Sequence, residues 1–230
     1  MQTVLLDFHT RVQEVNQYFE FLEMLIQEKT KSPMSADNGE QKITAIDPEL
    51  AKILKANAFL LLYNLVESTM RNAIEAIFAE ISSKKISFNS LRTEIKKVVI
   101  YNFKNRSPDK VHSKIKDISL DIITAGFNSK ELFSGNVTRK VITATARNYG
   151  FSFDTDYSKT KHGEHLEDIM DHRNDLAHGN KSFAEVGQKV SIEDLLKVKE
   201  EVIEYLQQIL QNIQDYLDKQ EYLDKSIQFP

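Results

Sequence analysis

The sequence predicts an all-α bundle of about six helices, on three observations. Only 7 Gly and 4 Pro occur in 230 residues, too few for a sandwich or barrel, which needs a turn roughly every 8–12 residues. Apolar residues recur at helical steps over long stretches. One of those stretches, AFLLLYNLVESTM, is apolar nearly all round, the pattern of a helix enclosed by others.

The elements follow in chain order. Residues 3–29 read as an amphipathic helix, because Val4, Phe8, Val15, Phe19, Leu22 and Ile26 are spaced by three, four or seven. Lys31 to Asp47 read mostly as loop, with Pro33, Gly39 and small polar residues. Asp47 then suits an N-cap and Pro48 a first helical turn, opening a long helix to about Ser82. A third helix, basic on its outer face, is expected over 88–103. Pro108 marks a loop, and further helices are expected at 109–124 and 136–148. Residues 149–157, YGFSFDTDY, are turn-rich and aromatic. A helix over 162–178 stops at Gly179, which suits the residue after a C-cap. Ser191 caps the last long helix, 192–222, whose stripe of Ile192, Leu195, Val202, Leu206, Ile209, Ile213 and Tyr216 serves either the core or a dimer interface.

Length and composition bound the rest. The chain is read as one domain, 1–230, with an N-terminal helix and loop (1–47) and a core bundle (48–222). Zero Cys removes disulfides, thiolate metal sites and a cysteine nucleophile. No apolar run approaches 18 residues and the N-terminus lacks a basic, long-apolar leader. The expectation is a cytoplasmic protein with no membrane contact.

The net charge of −4 hides an asymmetry. Ten basic residues lie between Lys84 and Lys116 with only Glu94 and Asp109 against them, whereas 164–224 carries fifteen acids and six bases. Such a chain either binds a polyanion locally or presents a solvated surface. Within the basic stretch, Lys96, Lys97, Lys104 and Arg106, interleaved with Tyr101 and Phe103, are the candidate RNA-tracking residues.

One segment carries chemistry: Asp171-His172-Arg173-Asn174-Asp175-Leu176-Ala177-His178-Gly179. It resembles the R-x4–6-H signature of the HEPN superfamily (higher eukaryotes and prokaryotes nucleotide-binding domain), with Arg173, a following polar Asn174, and His178. LVESTMRNAIEAIF at 65–78, LFSGNVTRKVI at 132–142 with a following YGF, and GNKSFAEVG at 179–187 are similar to the bacterial MAE-type branch. The resemblance spans most of 50–220.

The resemblance implies a metal-independent endoribonuclease, usually a homodimer joining two motifs, with no cofactor. The 2′-hydroxyl of RNA would be the nucleophile, leaving a 2′,3′-cyclic phosphate and a 5′-hydroxyl. Imidazole suits proton transfer near neutral pH, so His178 is the expected base or acid. Arginine holds phosphate oxygens bidentately and never deprotonates, so Arg173 is the expected transition-state clamp. Asn174 would orient the phosphate or the imidazole. Asp175, Glu67 and Arg71 are the expected supports of the motif, Glu67 and Arg71 being a favourable i, i+4 pair. Bacterial relatives commonly act as toxins or phage-defence effectors under an antitoxin protein. Asn180 stands where the branch paired with nucleotidyltransferases carries Tyr, which speaks against adenylylation there.

Helix geometry constrains this reading. Five residues at 100° place Arg173 and His178 about 140° apart, so they converge only through an irregular last turn or across a dimer. In the plainer alternatives His178 meets the helix terminus and Arg173 pairs with an acid on a neighbouring helix. His165, Asp168 and His172 share a helix face that suits a transition metal, but no fourth ligand is indicated. At the level of function, the alternatives are a non-catalytic module binding RNA, nucleotide or a protein partner, and a structural oligomer built on the 192–222 stripe.

Overall fold

The computed structural model describes residues 1–27, 32–35, 41–44, 46–104, 122–123, 127, 132–133 and 135–226. Among them are eight α-helices: α1 (Gln2–Gln27), α2 (Pro48–Ser83), α3 (Thr93–Lys104), α4 (Arg139–Tyr149), α5 (Tyr157–Thr160), α6 (His165–Ala177), α7 (Phe183–Gly187) and α8 (Ile192–Asp218). The long first, second and last helices fall as the periodicity predicts.

Helix α2 is the axis. It starts where expected, with the Asp47 carboxylate accepting the Glu49 N–H at 3.1 Å and Pro48 in the first turn. Its buried residues, from Ala56 to Ile81, cover more than half of the circumference and leave one exposed face at Ile53, Asn64 and Ala79, and α1, α6, α7 and α8 all pack on it. Each fully buried Leu, Ile or Met here contributes roughly 1.5–3 kcal/mol. From α1, Phe8, Val15, Phe19 and Leu22 are buried against it.

The α8 stripe is consumed within the chain. Ile192, Leu195, Val202, Leu206, Ile209, Ile213 and Tyr216 are all buried in the one core. A structural oligomer built on that stripe is therefore set aside, because the stripe has no exposed face to offer.

The short elements correct the sequence reading. The 31–47 loop contains two strands, β1 (Ser32–Ser35) and β2 (Gln41–Thr44), paired antiparallel with Ser32 opposite Thr44 and Ser35 opposite Gln41. The helix expected over 88–103 becomes a 3₁₀ turn at Phe88–Ser90 followed by α3, with Leu91 bridging Leu223 between them. The helix expected over 109–124 lies outside the described residues, apart from Ile122 and Ile123, which are helical. Helix α4 starts at Arg139 rather than 136, because the Thr138 hydroxyl accepts the Val141 N–H and caps it there.

Two further short helices, α5 and α7, are unforeseen. Helix α7 opens with a capping box: Ser182 Oγ accepts the Glu185 N–H while the Glu185 carboxylate accepts the Ser182 N–H. It lies so close to α2 that a Cβ on Gly187 would sit 1.9 Å from the Lys52 carbonyl oxygen. That approach requires glycine and seats the 179–187 segment, just after the motif, on the central helix.

Candidate active site

The motif occupies the C-terminal end of α6, and the termination is built from its own residues. His178 is the C-cap (φ −94°, ψ 0°) and Gly179 follows at φ +69°. The Gly179 N–H donates to the Leu176 carbonyl (3.3 Å) and the Asn180 N–H to the Asp175 carbonyl (2.8 Å), the paired bonds of a Schellman ending. The Asp175 carboxylate also pairs with Lys181, stapling the loop that follows. Asp175 therefore supports the motif by holding its exit, and the bond to Lys181 keeps its carboxyl below the usual range.

Helical geometry persists through Ala177, so no loosened turn swings His178 toward Arg173. His178 is exposed at the helix end and is not among the residues lining the cleft at Arg173. Within one chain the two motif side chains do not converge, as the roughly 140° separation anticipates.

Arg173 is half-buried and posed by neutral partners. Its Nη1 donates to Asn174 Oδ1 (2.8 Å) and, at 3.4 Å, to the Gly135 carbonyl. Its guanidinium carbon lies 4.7 Å from the Tyr63 ring centroid, a cation–π contact. Among the described residues no carboxylate forms an ion pair with it, so the plainer alternative, a pairing with an acid on a neighbouring helix, is not seen there. Asn174 in turn donates to Met170 Sδ (2.9 Å) and Asn136 Oδ1 (3.3 Å). Asn174 thus orients the guanidinium rather than the imidazole, and the segment before α4 anchors both.

Arg173 opens onto a cleft of about 420 Å³ between α1, α2 and α6, also lined by Arg11, Tyr63, Asn64, Glu67 and Arg71. The expected Glu67–Arg71 pair forms. Arg11 reaches in from α1, held by Asp7 (2.8 Å) and by Asn64 Oδ1 (3.0 Å). The buried Tyr63 hydroxyl accepts the Val137 N–H at 3.2 Å. Burial, together with the Glu67 carboxylate it bonds, raises the phenol above its ordinary pKa. Sequence reasoning missed Tyr63 and Arg11. Tyr63 falls within the apolar run, and its only signal is its place one turn before Glu67. Arg11 lies on the polar face of α1, and nothing local distinguishes it.

Arg11 and Arg71 are paired with Asp7 and Glu67, whereas the Arg173 guanidinium faces the cleft with no carboxylate paired to it among the described residues. A guanidinium fixed by neutral acceptors and a ring face keeps its full charge for a ligand, and its planar fork matches a phosphodiester.

The remaining candidates sit elsewhere. Lys97 and Tyr101 line a separate cavity of about 610 Å³ beside α4, with Arg147 and Asn148. Lys104 is exposed and Lys96 half-buried on the same helix; Arg106 lies outside the described residues. None of the three described lysines lines the Arg173 cleft. His165 approaches the buried Glu201 (Nε2 to Oε2, 2.8 Å), whereas His172 packs on Phe59 with ring centroids 4.4 Å apart. The helical face that holds both histidines therefore sends them to different neighbours, and among the described residues no cluster fit to hold a metal forms. Burial lowers the His172 pKa, and Asp168 only partly offsets it. No described helix is long and apolar enough to cross a membrane.

Among known families, a HEPN profile of the MAE_28990-like branch matches residues 1–222. No curated protein and no solved structure matches the chain. The family match begins at residue 1, whereas the resemblance read from the motifs began near residue 50. It therefore takes in α1, the helix that carries Arg11 into the cleft. Fold, motif and profile agree: this chain belongs to the MAE_28990-like HEPN family.

Proposed function

We propose that the protein is a metal-independent endoribonuclease working as a homodimer, with Arg173 of one protomer and His178 of the other acting on one scissile phosphodiester. The observation that carries this reading is the division of labour at α6: an Arg173 held for an anion without an acidic partner, and a His178 exposed one helix end away. The exposed His178 imidazole takes the proton of the 2′-hydroxyl as base and returns it to the leaving 5′-oxygen as acid. Arg173, backed by Arg11 and Arg71, steadies the charge of the phosphorane-like transition state. Asn174, Tyr63 and Gly135 hold the guanidinium in place, and Asp175 fixes the loop beyond His178. A toxin or phage-defence role restrained by an antitoxin protein fits such an activity.

The test is RNA cleavage in EDTA by wild type, Arg173→Ala and His178→Ala, with folding checked by circular dichroism. Cleavage by wild type alone supports the reading. Equal behaviour of all three favours the second reading, a non-catalytic module that binds RNA, nucleotide or protein, which the separation of Arg173 from His178 within one chain would permit.

A further inference from the structure

A second cleft, of about 480 Å³, lies between α4, the 153–164 turn and α8, apart from the Arg173 site. Arg139, Lys140 and Arg147 line one wall, and Phe153, His162 and Tyr205 the other. Its most unusual feature is backbone. Lys161 (φ +46°), His162 (φ +51°) and Gly163 (φ +76°) are consecutive left-handed residues, a conformation that costs stability for the two non-glycine members.

A chain of protons holds that strained turn and fixes the imidazole. Thr160 Oγ1 donates to the Asp156 carbonyl (2.8 Å) and accepts the His162 N–H (3.0 Å). A hydroxyl has one proton to give, so the 3.1 Å contact between Thr155 and Thr160 is a donation from Thr155. With its own proton spent, Thr155 Oγ1 accepts from His162 Nδ1 at 3.0 Å. The hydrogen therefore sits on Nδ1, which leaves Nε2 as the ring atom with a free lone pair on a residue that lines the cleft. The Tyr157 ring, 5.2 Å away, packs against the imidazole, and Arg147 is laid over Phe153 at 5.2 Å.

We propose that this cleft is a subsite for one ribonucleotide flanking the scissile phosphate, with Arg139 and Arg147 on its phosphate and His162 Nε2 as a preset hydrogen-bonding group. The assignment to an RNA strand rests on the function proposed above. Asp154 and Glu167 also line the cleft; carboxylates accept from exocyclic amines of bases, so the lining suits a nucleotide better than a bare anion. A base has the Arg147 guanidinium plane to stack on. Continuity with the motif comes through α6, where Glu167 and Asn174 share one face about 10 Å apart. It also comes through Asn136, bonded to Asn174 and three residues before Arg139.

The experiment uses the full chain and a single-stranded 2′-O-methyl RNA oligonucleotide, which lacks the nucleophile for cleavage. Binding is read by fluorescence anisotropy, with 5′-AMP as a second ligand and cleavage of natural RNA measured in parallel. His162→Asn tolerates the left-handed backbone and keeps a donor for Thr155, but removes Nε2. It should weaken oligonucleotide binding by up to about tenfold, the worth of one neutral hydrogen bond. Arg147→Gln, on an exposed side chain, should lower the salt slope of binding by about 0.7 and needs no change in the turn. Oligonucleotide binding that depends on both residues supports the subsite even where natural RNA stays uncut, which would sink only the nuclease reading. Cleaving wild type with both variants binding as tightly as it does overturns the subsite alone. So does failure of the oligonucleotide to bind, or binding of 5′-AMP only.

Discussion

The guanidinium carbon of Arg173 stands 4.7 Å from the centroid of the Tyr63 ring, and the same tyrosine's hydroxyl accepts the Val137 N–H at 3.2 Å. One side chain of the central helix thus supports both the motif arginine and the segment that carries Gly135 and Asn136. The two roles separate by mutation. Tyr63→Phe keeps the ring but leaves the Val137 N–H without its buried acceptor. Stability should fall by about 1–2 kcal/mol in urea unfolding, with RNA affinity nearly unchanged. Tyr63→Leu should lose affinity as well, and equal affinity in the two variants would dismiss the ring's part in posing Arg173.

Arg173→Lys preserves charge but not the planar fork. Lysine neither bonds Asn174 and a phosphate at once nor lies flat on Tyr63. Cleavage should drop by about a hundredfold or more while thermal stability changes little. A variant retaining wild-type cleavage would show that point charge alone suffices at this position.

Gly187→Ala should be among the most damaging single substitutions. The new methyl would fall 1.9 Å from the Lys52 carbonyl oxygen, and α7 must move off α2. Overpacking of this kind costs typically 1–3 kcal/mol or more. Thermal unfolding should register a drop of several degrees, and an unchanged Tm would place α7 farther from α2 than described.

His172 gives the fold an acid sensitivity. Burial against Phe59 lowers its pKa, so the folded chain favours the neutral ring. The facing charges are mixed: Asp168, Asp171 and Asp175 favour protonation and Lys181 opposes it, while desolvation dominates. Stability from this group is complete above the unfolded value of about 6.5 and is lost as pH falls through it toward the lowered folded value. Wild-type Tm should therefore decline more steeply between about pH 7 and pH 5 than that of His172→Phe, which keeps the ring packing. Parallel curves would remove His172 from the explanation.

What the sequence discloses and what it conceals divide along physical lines. The stripes of α1 and α8 are legible because burial repeats with the helical period, and every stripe residue of α8 is buried. The Asp47–Pro48 start and the Gly179 stop are legible because capping chemistry is local. The divergence of Arg173 and His178 follows from the angle per residue. Arg11 was not legible: its bond to Asn64 joins residues 53 positions apart, and no local pattern encodes that pairing. Ser182 and Glu185 do carry a capping-box spacing, but α7 is five residues long and has no period to draw attention to it. The turn at Lys161 and His162 was hidden for another reason. Lysine does not advertise a left-handed backbone and histidine does so only weakly, and the Thr155–Thr160 hydroxyl chain reveals what holds it.

The most direct test of the central claim is complementation between two inactive chains. Arg173→Ala and His178→Ala, carried on different affinity tags, are co-expressed and the doubly tagged heterodimer is purified and assayed on RNA in EDTA. If one protomer lends the guanidinium and the other the imidazole, the heterodimer should recover a substantial part of wild-type cleavage while each mutant homodimer stays inactive. A heterodimer as inactive as its parents, beside an active wild type, would contradict the shared site.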